Sequence, residues 1–139
     1  VPVDDLEKWL EEVCTNLRRT LHHERKDSTA RLTEQARAYI KEHYQENDLS
    51  AESLCRYLNV SPAYFSTIFK KEVGMSFVAY LTNVRLEHAV ELLRTTEDKT
   101  YIIAAQVGYT EPNYFSYVFK KQYGISPSRS RAAMFEQKP

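Results

Sequence analysis

Residues 103–124 read IAAQVGYTEPNYFSYVFKKQYG, and residues 54–74, earlier in the chain, read LCRYLNVSPAYFSTIFKKEVG. Nine of the fifteen positions in residues 62–76 are identical to their partners in residues 112–126. Matching residues of the two copies are 49 positions apart before the turn and 50 positions apart after it. The turn of the second copy therefore contains one extra residue. A match of this length within a chain of 139 residues indicates an internal duplication.

Each copy reads as two short helices with a tight turn between them. The first helix ends at a residue that tolerates a left-handed conformation, which is Asn59 in one copy and Gly108 in the other. In the first copy, Ser61 and Pro62 then supply an N-cap and a first-turn proline for the second helix. The pattern predicts two helix-turn-helix units, at about residues 50–74 and 99–124.

The rest of the sequence favours an all-α fold with one long helix between the two units. The chain has only three glycines and five prolines, and residues 76–95 keep helical spacing without a helix breaker. About 20 residues at ~1.5 Å each give a linker helix of roughly 30 Å. We expect residues 33–139 to form the main domain and residues 1–32 to form an N-terminal connector helix, with a short polar break at residues 26–32.

The connector helix has one apolar face. Its members recur at three- and four-residue steps and are Leu6, Leu10, Val13, Leu17 and Leu21. This face either packs on the main domain or pairs with a second copy of itself in a homodimer, and so few heptads do not decide between the two. The chain begins with Val-Pro and has no initiator methionine, so we expect it to be a piece of a longer protein.

The second helix of each unit has a core face and an outer face. The core face is aromatic at helical spacing and consists of Phe65, Phe69, Phe115 and Phe119. The outer face consists of Ala63, Ser66 and Thr67 in the first copy and of Asn113, Ser116 and Tyr117 in the second. Short or polar side chains near the start of a helix allow it to approach the base edges in the major groove of DNA.

Lysine pairs follow these outer faces. They are Lys70-Lys71 in the first copy and Lys120-Lys121 in the second, and we expect them to meet DNA phosphates. A single lysine pair on a helix is usually only solvated, but two pairs at matched positions are more specific. Tyr64 and Tyr114 either pack against the turn or offer a hydroxyl group to a phosphate.

On these motifs the chain resembles the DNA-binding domain of the AraC/XylS family of bacterial transcription regulators. The diagnostic segment is IAAQVGYTEPNYFSYVFKKQYGISPSRSR, and LSAESLCRYLNVSPAYFSTIFKKEVGMSF and YLTNVRLEHAVELL support it. The resemblance implies seven helices, arranged as two helix-turn-helix subdomains that a long helix bridges. It also implies sequence-specific binding to double-stranded DNA. A linker helix of roughly 30 Å can hold two recognition helices in successive major grooves, which lie about 34 Å apart. Because the two outer faces differ, we expect an asymmetric site, and we expect no cofactor.

The resemblance also assigns roles by position. The base-reading sites of the family fall on Ala63, Ser66 and Thr67 in the first recognition helix and on Pro112, Asn113, Ser116 and Tyr117 in the second. Glu111 departs from the pattern, because the family prefers a small N-cap there, and we expect Thr110 to take over the capping. Ser130 and Thr100 also depart, replacing an aromatic and an aliphatic residue.

The connector and residues 32–50 resemble the segment that joins this domain to a receiver domain in two-component response regulators. The alternative within the family is a ligand-sensing barrel upstream. Either arrangement implies a cytoplasmic protein, and RNA polymerase is a further candidate partner. Cys14 and Cys55 have no motif spacing, which agrees with a reducing compartment.

Charge and motif content bear on the other function classes. The formal net charge is zero, which is the best argument for the alternative of a helical protein-interaction module, although residues 56–139 contain eleven basic and seven acidic residues. The four histidines lack metal-ligand spacing, and no catalytic signature is present, so we expect neither a metal site nor an enzyme. No apolar run approaches the roughly 20 residues that span a bilayer.

Overall fold

A computed structural model describes the backbone of residues 3–136 and the side chains of residues 7–16 and 27–136. The described backbone forms seven helices and no strand, which confirms the all-α prediction. The helices are α1 (Val3–His43), α2 (Ala51–Leu58), α3 (Pro62–Val73), α4 (Phe77–Thr95), α5 (Thr100–Gln106), α6 (Pro112–Tyr123) and α7 (Pro127–Glu136). Helices α2 and α3 form the first helix-turn-helix unit, and α5 and α6 form the second.

Helix α1 is continuous over 41 residues, so the polar break predicted at residues 26–32 is wrong. The segment contains polar residues but no glycine or proline, and its side chains can be satisfied inside a helix. Just after the segment, the Thr33 hydroxyl donates to the Thr29 carbonyl, 2.8 Å away and one turn earlier. The leader and the first helix of the main domain are therefore one rod.

The two ends of α1 differ in burial. Its buried side chains, among those described, are Thr33, Ala36 and Ile40, whereas Trp9 and Leu10 near the other end are 58% and 49% exposed. The side chains of Leu6, Leu17 and Leu21, which belong to the predicted apolar face, lie outside the described residues. The division of the chain into a connector and a main domain at residue 32 stays a prediction. The first buried side chain of α1, among those described, is that of Thr33.

The turns of the two units are built from the residues that the sequence indicates. Asn59 ends α2 with φ 58° and ψ 47°, and Gly108 follows α5 with φ 106°. Ser61 caps α3 by accepting a hydrogen bond from the Tyr64 amide at 3.2 Å. Glu111 is the N-cap residue of α6 and makes no side-chain capping bond. The expectation that Thr110 takes over the capping is therefore wrong.

Two hydrophobic cores share α4. The first core is built from α1, α2, α3 and the start of α4 as far as Leu81. The second core is built from α5, α6 and the rest of α4 from Leu86 onward. Tyr44, just beyond the end of α1, packs against both cores. One helix therefore joins the two subdomains, and α7 closes the second with Pro127 fully buried.

An arginine satisfies the carbonyl groups at the end of each subdomain's first long helix. Arg85 donates from Nε to the Tyr44 carbonyl and from Nη2 to the Glu46 carbonyl, both at 2.8 Å. Arg131, on α7, donates to the Leu93 carbonyl at 3.1 Å and to two more carbonyls beyond the end of α4, those of Thr96 and Asp98. Helix C-termini leave carbonyl groups unsatisfied, and both guanidinium groups fill that need.

Candidate nucleic-acid interface

Helix α3 buries one face and exposes the other. Phe65 and Phe69 are each 1% exposed, and their rings lie 5.3 Å apart in the first core. The predicted base-reading residues, all of them exposed, are Ala63, Ser66 and Thr67. The Thr67 hydroxyl donates to the Ala63 carbonyl at 3.0 Å, so its proton is already engaged within the helix. The outer face of α3 thus presents small surfaces and hydroxyl oxygens that can accept hydrogen bonds.

Helix α6 repeats this arrangement with larger outer residues. Phe115 and Phe119 are fully buried, with ring centroids 5.9 Å apart. Pro112, Asn113 and Tyr117 are exposed, and Tyr117 is 62% exposed. Ser116 is only partly exposed, because it lies toward the edge of the outer face. The two outer faces are therefore matched in position but differ in chemistry.

The last turn of each recognition helix contains its lysine pair. The four side chains are exposed, and none of them makes an ion pair within the part of the chain that the structure describes. They are Lys70, Lys71, Lys120 and Lys121. Positive charge is favourable at a helix C-terminus, and without acidic partners these ammonium groups can meet an external anion.

The two tyrosines near the helix N-termini differ in their surroundings. Tyr114 is 58% exposed, yet its ring centroid lies 5.9 Å from that of Tyr109 in the turn. Tyr64 is 46% exposed and has no such ring contact among the described residues. Tyr114 thus packs partly against its turn, and both hydroxyl groups remain near a surface that DNA could reach.

The beginnings of α3 and α6 differ in charge and in capping. Ser61 has φ −72° and ψ 147° and caps α3, whereas Glu111 has φ −108° and ψ 108° and makes no cap. Helix N-termini are favourable sites for phosphate because their backbone amides are free and the helix dipole is positive there. Glu111 places an exposed carboxylate at such a position in the second unit only.

Arg85 is a buried residue between the two subdomains that the sequence reasoning missed. It is 8% exposed and is the one charged side chain classed as buried among the described residues. Its guanidinium carbon lies 5.2 Å from the centre of the Tyr109 ring, which fits a cation–π contact. Burial lowers the pKa of Arg85, which stays protonated at neutral pH, and burial raises the pKa of Tyr109. Arg85 lies four residues after Leu81 and four before Ala89, both of which are buried. This helical spacing was the signal in the sequence that could have indicated the burial of Arg85.

The described residues offer little for other kinds of site. They contain no group of three or more His, Cys, Asp or Glu side chains placed to hold a metal ion. None of the described helices has an apolar stretch that would span a lipid bilayer.

Comparison with known proteins agrees with this geometry. The sequence profile of a family described as "Helix-turn-helix domain" matches residues 54–133, which is more than half of the chain. The raffinose operon transcriptional regulatory protein RafR of Pediococcus pentosaceus is 34% identical over 133 residues, which is 94% of this chain and 44% of that protein. The chain spans less than half the length of the first curated relatives that it matches.

Two solved structures extend the comparison. The C-terminal domain of AraT, a response regulator from Geobacillus stearothermophilus, is 45% identical with a TM-score of 0.72, covering 73% of this chain and 84% of that one. The DNA-binding domain of AdpA, a global transcriptional factor solved in complex with a target DNA, is 26% identical with a TM-score of 0.73. That match covers 77% of this chain and 96% of the AdpA chain. With its paired helix-turn-helix units and these relatives, the chain belongs to the AraC/XylS family of DNA-binding transcription regulators.

Proposed function

We propose that this chain is the DNA-binding part of a bacterial transcription regulator and that it inserts α3 and α6 into two successive major grooves of one duplex. The observation that supports this most strongly is the matched pair of recognition helices in the two subdomains that α4 joins. Each has a buried phenylalanine face, a largely exposed outer face and a lysine pair that makes no ion pair with the described residues.

The length of α4 suits this task. Its 19 residues, at ~1.5 Å each, give a rod of roughly 28 Å. Successive major grooves on one face of B-DNA lie about 34 Å apart. Helix α3 packs on the beginning of α4, where the ring centroids of Phe65 and Phe77 are 6.2 Å apart. Helix α6 belongs to the second core, to which α4 contributes from Leu86 onward. A rod of this length suits two helices that enter grooves one helical turn apart.

The residue roles follow from position and chemistry. The proposed base-reading residues are Ala63, Ser66, Thr67, Pro112, Asn113, Ser116 and Tyr117, and the proposed phosphate contacts are Lys70, Lys71, Lys120, Lys121, Tyr64 and Tyr114. Asn113 is suited to adenine, because its amide can donate and accept at once, and the Thr67 methyl group is suited to thymine. Because the two outer faces differ, each monomer should prefer an asymmetric site.

A selection from random duplex DNA, followed by footprinting, tests the proposal. We expect an asymmetric consensus and protection of two major grooves about one helical turn apart. Protection confined to a single groove would contradict two-groove binding, and the absence of any consensus would instead favour the helical protein-interaction module.

Lysine substitutions test the phosphate contacts separately. Lys70→Ala and Lys120→Ala should each weaken binding to all sequences alike and lower the slope of log affinity against log salt by about one unit. Lys41→Ala is the matched control, because it removes the same charge from an exposed position near the end of α1, away from its leader part. An equal effect of all three substitutions would show that only net charge matters.

We further propose that the whole protein is a cytoplasmic response regulator whose receiver domain precedes α1 and which acts through RNA polymerase rather than as an enzyme. The likeness to the AraT domain supports this over a ligand-sensing barrel upstream. The exposed Trp9 and Leu10 make the leader part of α1 the proposed homodimer contact. Sequencing the gene upstream tests the first point, and sedimentation of the chain tests the second.

A further inference from the structure

The two subdomains come into close contact near Tyr44 and Gly108. The Tyr44 carbonyl, at the end of the first subdomain's first helix, faces Gly108, in the turn of the second unit. A Cβ atom built on Gly108 would lie 2.6 Å from that oxygen and 2.9 Å from Nε of Arg85. The ring of Tyr44 stacks on the ring of His88, with 4.1 Å between the ring centroids and 7° between the ring planes. The backbones of the two subdomains are therefore in close contact at Gly108.

Arg85 contacts both sides of this junction. Its two hydrogen bonds hold the Tyr44 and Glu46 carbonyls of the first subdomain. Its guanidinium carbon lies 5.2 Å from the centroid of the Tyr109 ring, and Tyr109 follows the Gly108 turn and precedes α6 by three residues. Because the guanidinium is planar and nearly buried, shifting either subdomain would break a hydrogen bond or the ring contact.

Arg131 provides an internal comparison. It also donates to carbonyl groups at the end of a helix, those of Leu93, Thr96 and Asp98. All of its partners belong to the second subdomain, so Arg131 stabilises one subdomain without bridging the two. A role in orientation is thus separable from a role in helix capping.

We propose that Arg85 is a positioning residue that sets the relative placement of α3 and α6, and with it the number of base pairs accepted between the two halves of the DNA site. The inference rests on the two-groove binding proposed above. One added base pair moves the second groove by about 3.4 Å and turns it by roughly 35° about the DNA axis. A rigid pair of recognition helices cannot follow such a change, whereas a loosened pair can.

The test measures binding to duplexes that contain the selected site with one base pair removed, unchanged or added between its halves. For the unsubstituted protein we expect either change to weaken binding about tenfold or more, on the scale of a lost base contact. Arg85→Met should bind the unchanged site more weakly and lose most of this preference, with the penalty falling to about threefold or less. Arg131→Met should weaken binding but keep the preference for one spacing.

A second variant guards against a general loss of structure. Arg85→Lys keeps the charge but lacks the fork of donors that holds both carbonyl groups while the cation lies over the Tyr109 ring, so we expect an intermediate loss of spacing preference. Circular dichroism and thermal unfolding show whether each variant is folded. If Arg85→Met does not fold, the spacing preference of Arg85→Lys tests the proposal. An unchanged spacing preference in a folded Arg85 variant would overturn the proposal.

A measurement without DNA separates this inference from the proposed function. Spin labels are attached through Glu72→Cys on α3 and Gln122→Cys on α6, both exposed, with the exposed Cys14 replaced by serine and Cys55 left buried. Electron-electron dipolar spectroscopy should give a narrow distance distribution that widens in Arg85→Met but not in Arg131→Met. Equal distributions in all three proteins would overturn the role of Arg85. A single-groove footprint with a widened Arg85→Met distribution would instead reject two-groove binding alone.

Discussion

Replacing Glu111 by serine is expected to stabilise the second helix-turn-helix unit and to strengthen DNA binding at the same time. The chain contains its own reference for the change, because Ser61 occupies the matching position in the first unit. There the serine oxygen accepts from the Tyr64 amide at 3.2 Å, whereas Glu111 makes no capping bond. The substitution would give the second unit the cap that the first already has.

The magnitude follows from two opposing terms. A serine N-cap stabilises a helix by about 1 kcal/mol, and loss of a carboxylate near the positive end of the helix dipole costs roughly 0.5 kcal/mol. The net gain of about 0.5 kcal/mol corresponds to a rise of roughly 2 °C in the unfolding midpoint of a domain of this size. For DNA, removing a charge about 8 Å from a phosphate relieves ~0.5 kcal/mol of repulsion in water, or roughly a twofold gain in affinity.

Glu111→Asp separates the two effects. Aspartate is as good an N-cap as serine and keeps the negative charge, so it should stabilise the fold by about 1 kcal/mol without improving DNA affinity. Calorimetry gives the unfolding midpoint, and fluorescence anisotropy at several salt concentrations gives the affinity.

The reasoning fails if neither substitution raises the midpoint. That result would mean that the backbone at residue 111, with ψ 108° against 147° at Ser61, cannot relax into a capping geometry. It also fails for DNA if Glu111→Ser and Glu111→Asp change the affinity equally, since the charge would then be irrelevant.

Three further predictions concern separate parts of the chain. Asn113→Ala should change base preference at one or two positions, costing about 1–3 kcal/mol there, and a uniform loss across all sequences in a binding selection would contradict base reading. Gly108→Ala should lower the free energy of unfolding by about 3 kcal/mol, because the new methyl group would clash with the Tyr44 carbonyl and because alanine is strained at the positive φ of this residue. Gly74→Ala, at φ 89° with open space around it, is the control in denaturant titrations and should cost only about 1 kcal/mol. Leu10→Glu should dissociate the proposed homodimer in sedimentation experiments, and a monomeric unsubstituted chain would refute that contact.

The candidate site was predictable from sequence where local rules decide it. The phenylalanine faces of α3 and α6 are buried and the lysine pairs are exposed because helical periodicity alone assigns them to opposite sides. Ser116 is less exposed than expected, since a residue at the border of a face depends on its neighbours. Whether these side chains touch bases or phosphates stays a prediction.

By itself, the sequence determined the helices, their turns and the duplication, because caps, left-handed turn residues and apolar spacing act over a few residues. Only the tertiary structure decided the continuity of α1, since a polar run without a breaker is compatible with either a helix or a loop. It also decided the role of Arg85, whose partners are 39 to 41 residues away along the chain. The same holds for Gly108, which matches Asn59 in the sequence but which its φ of 106° and the close Tyr44 carbonyl restrict to glycine. Contacts between residues so distant in sequence depend on how two separately predictable units pack, and no local pattern encodes that packing.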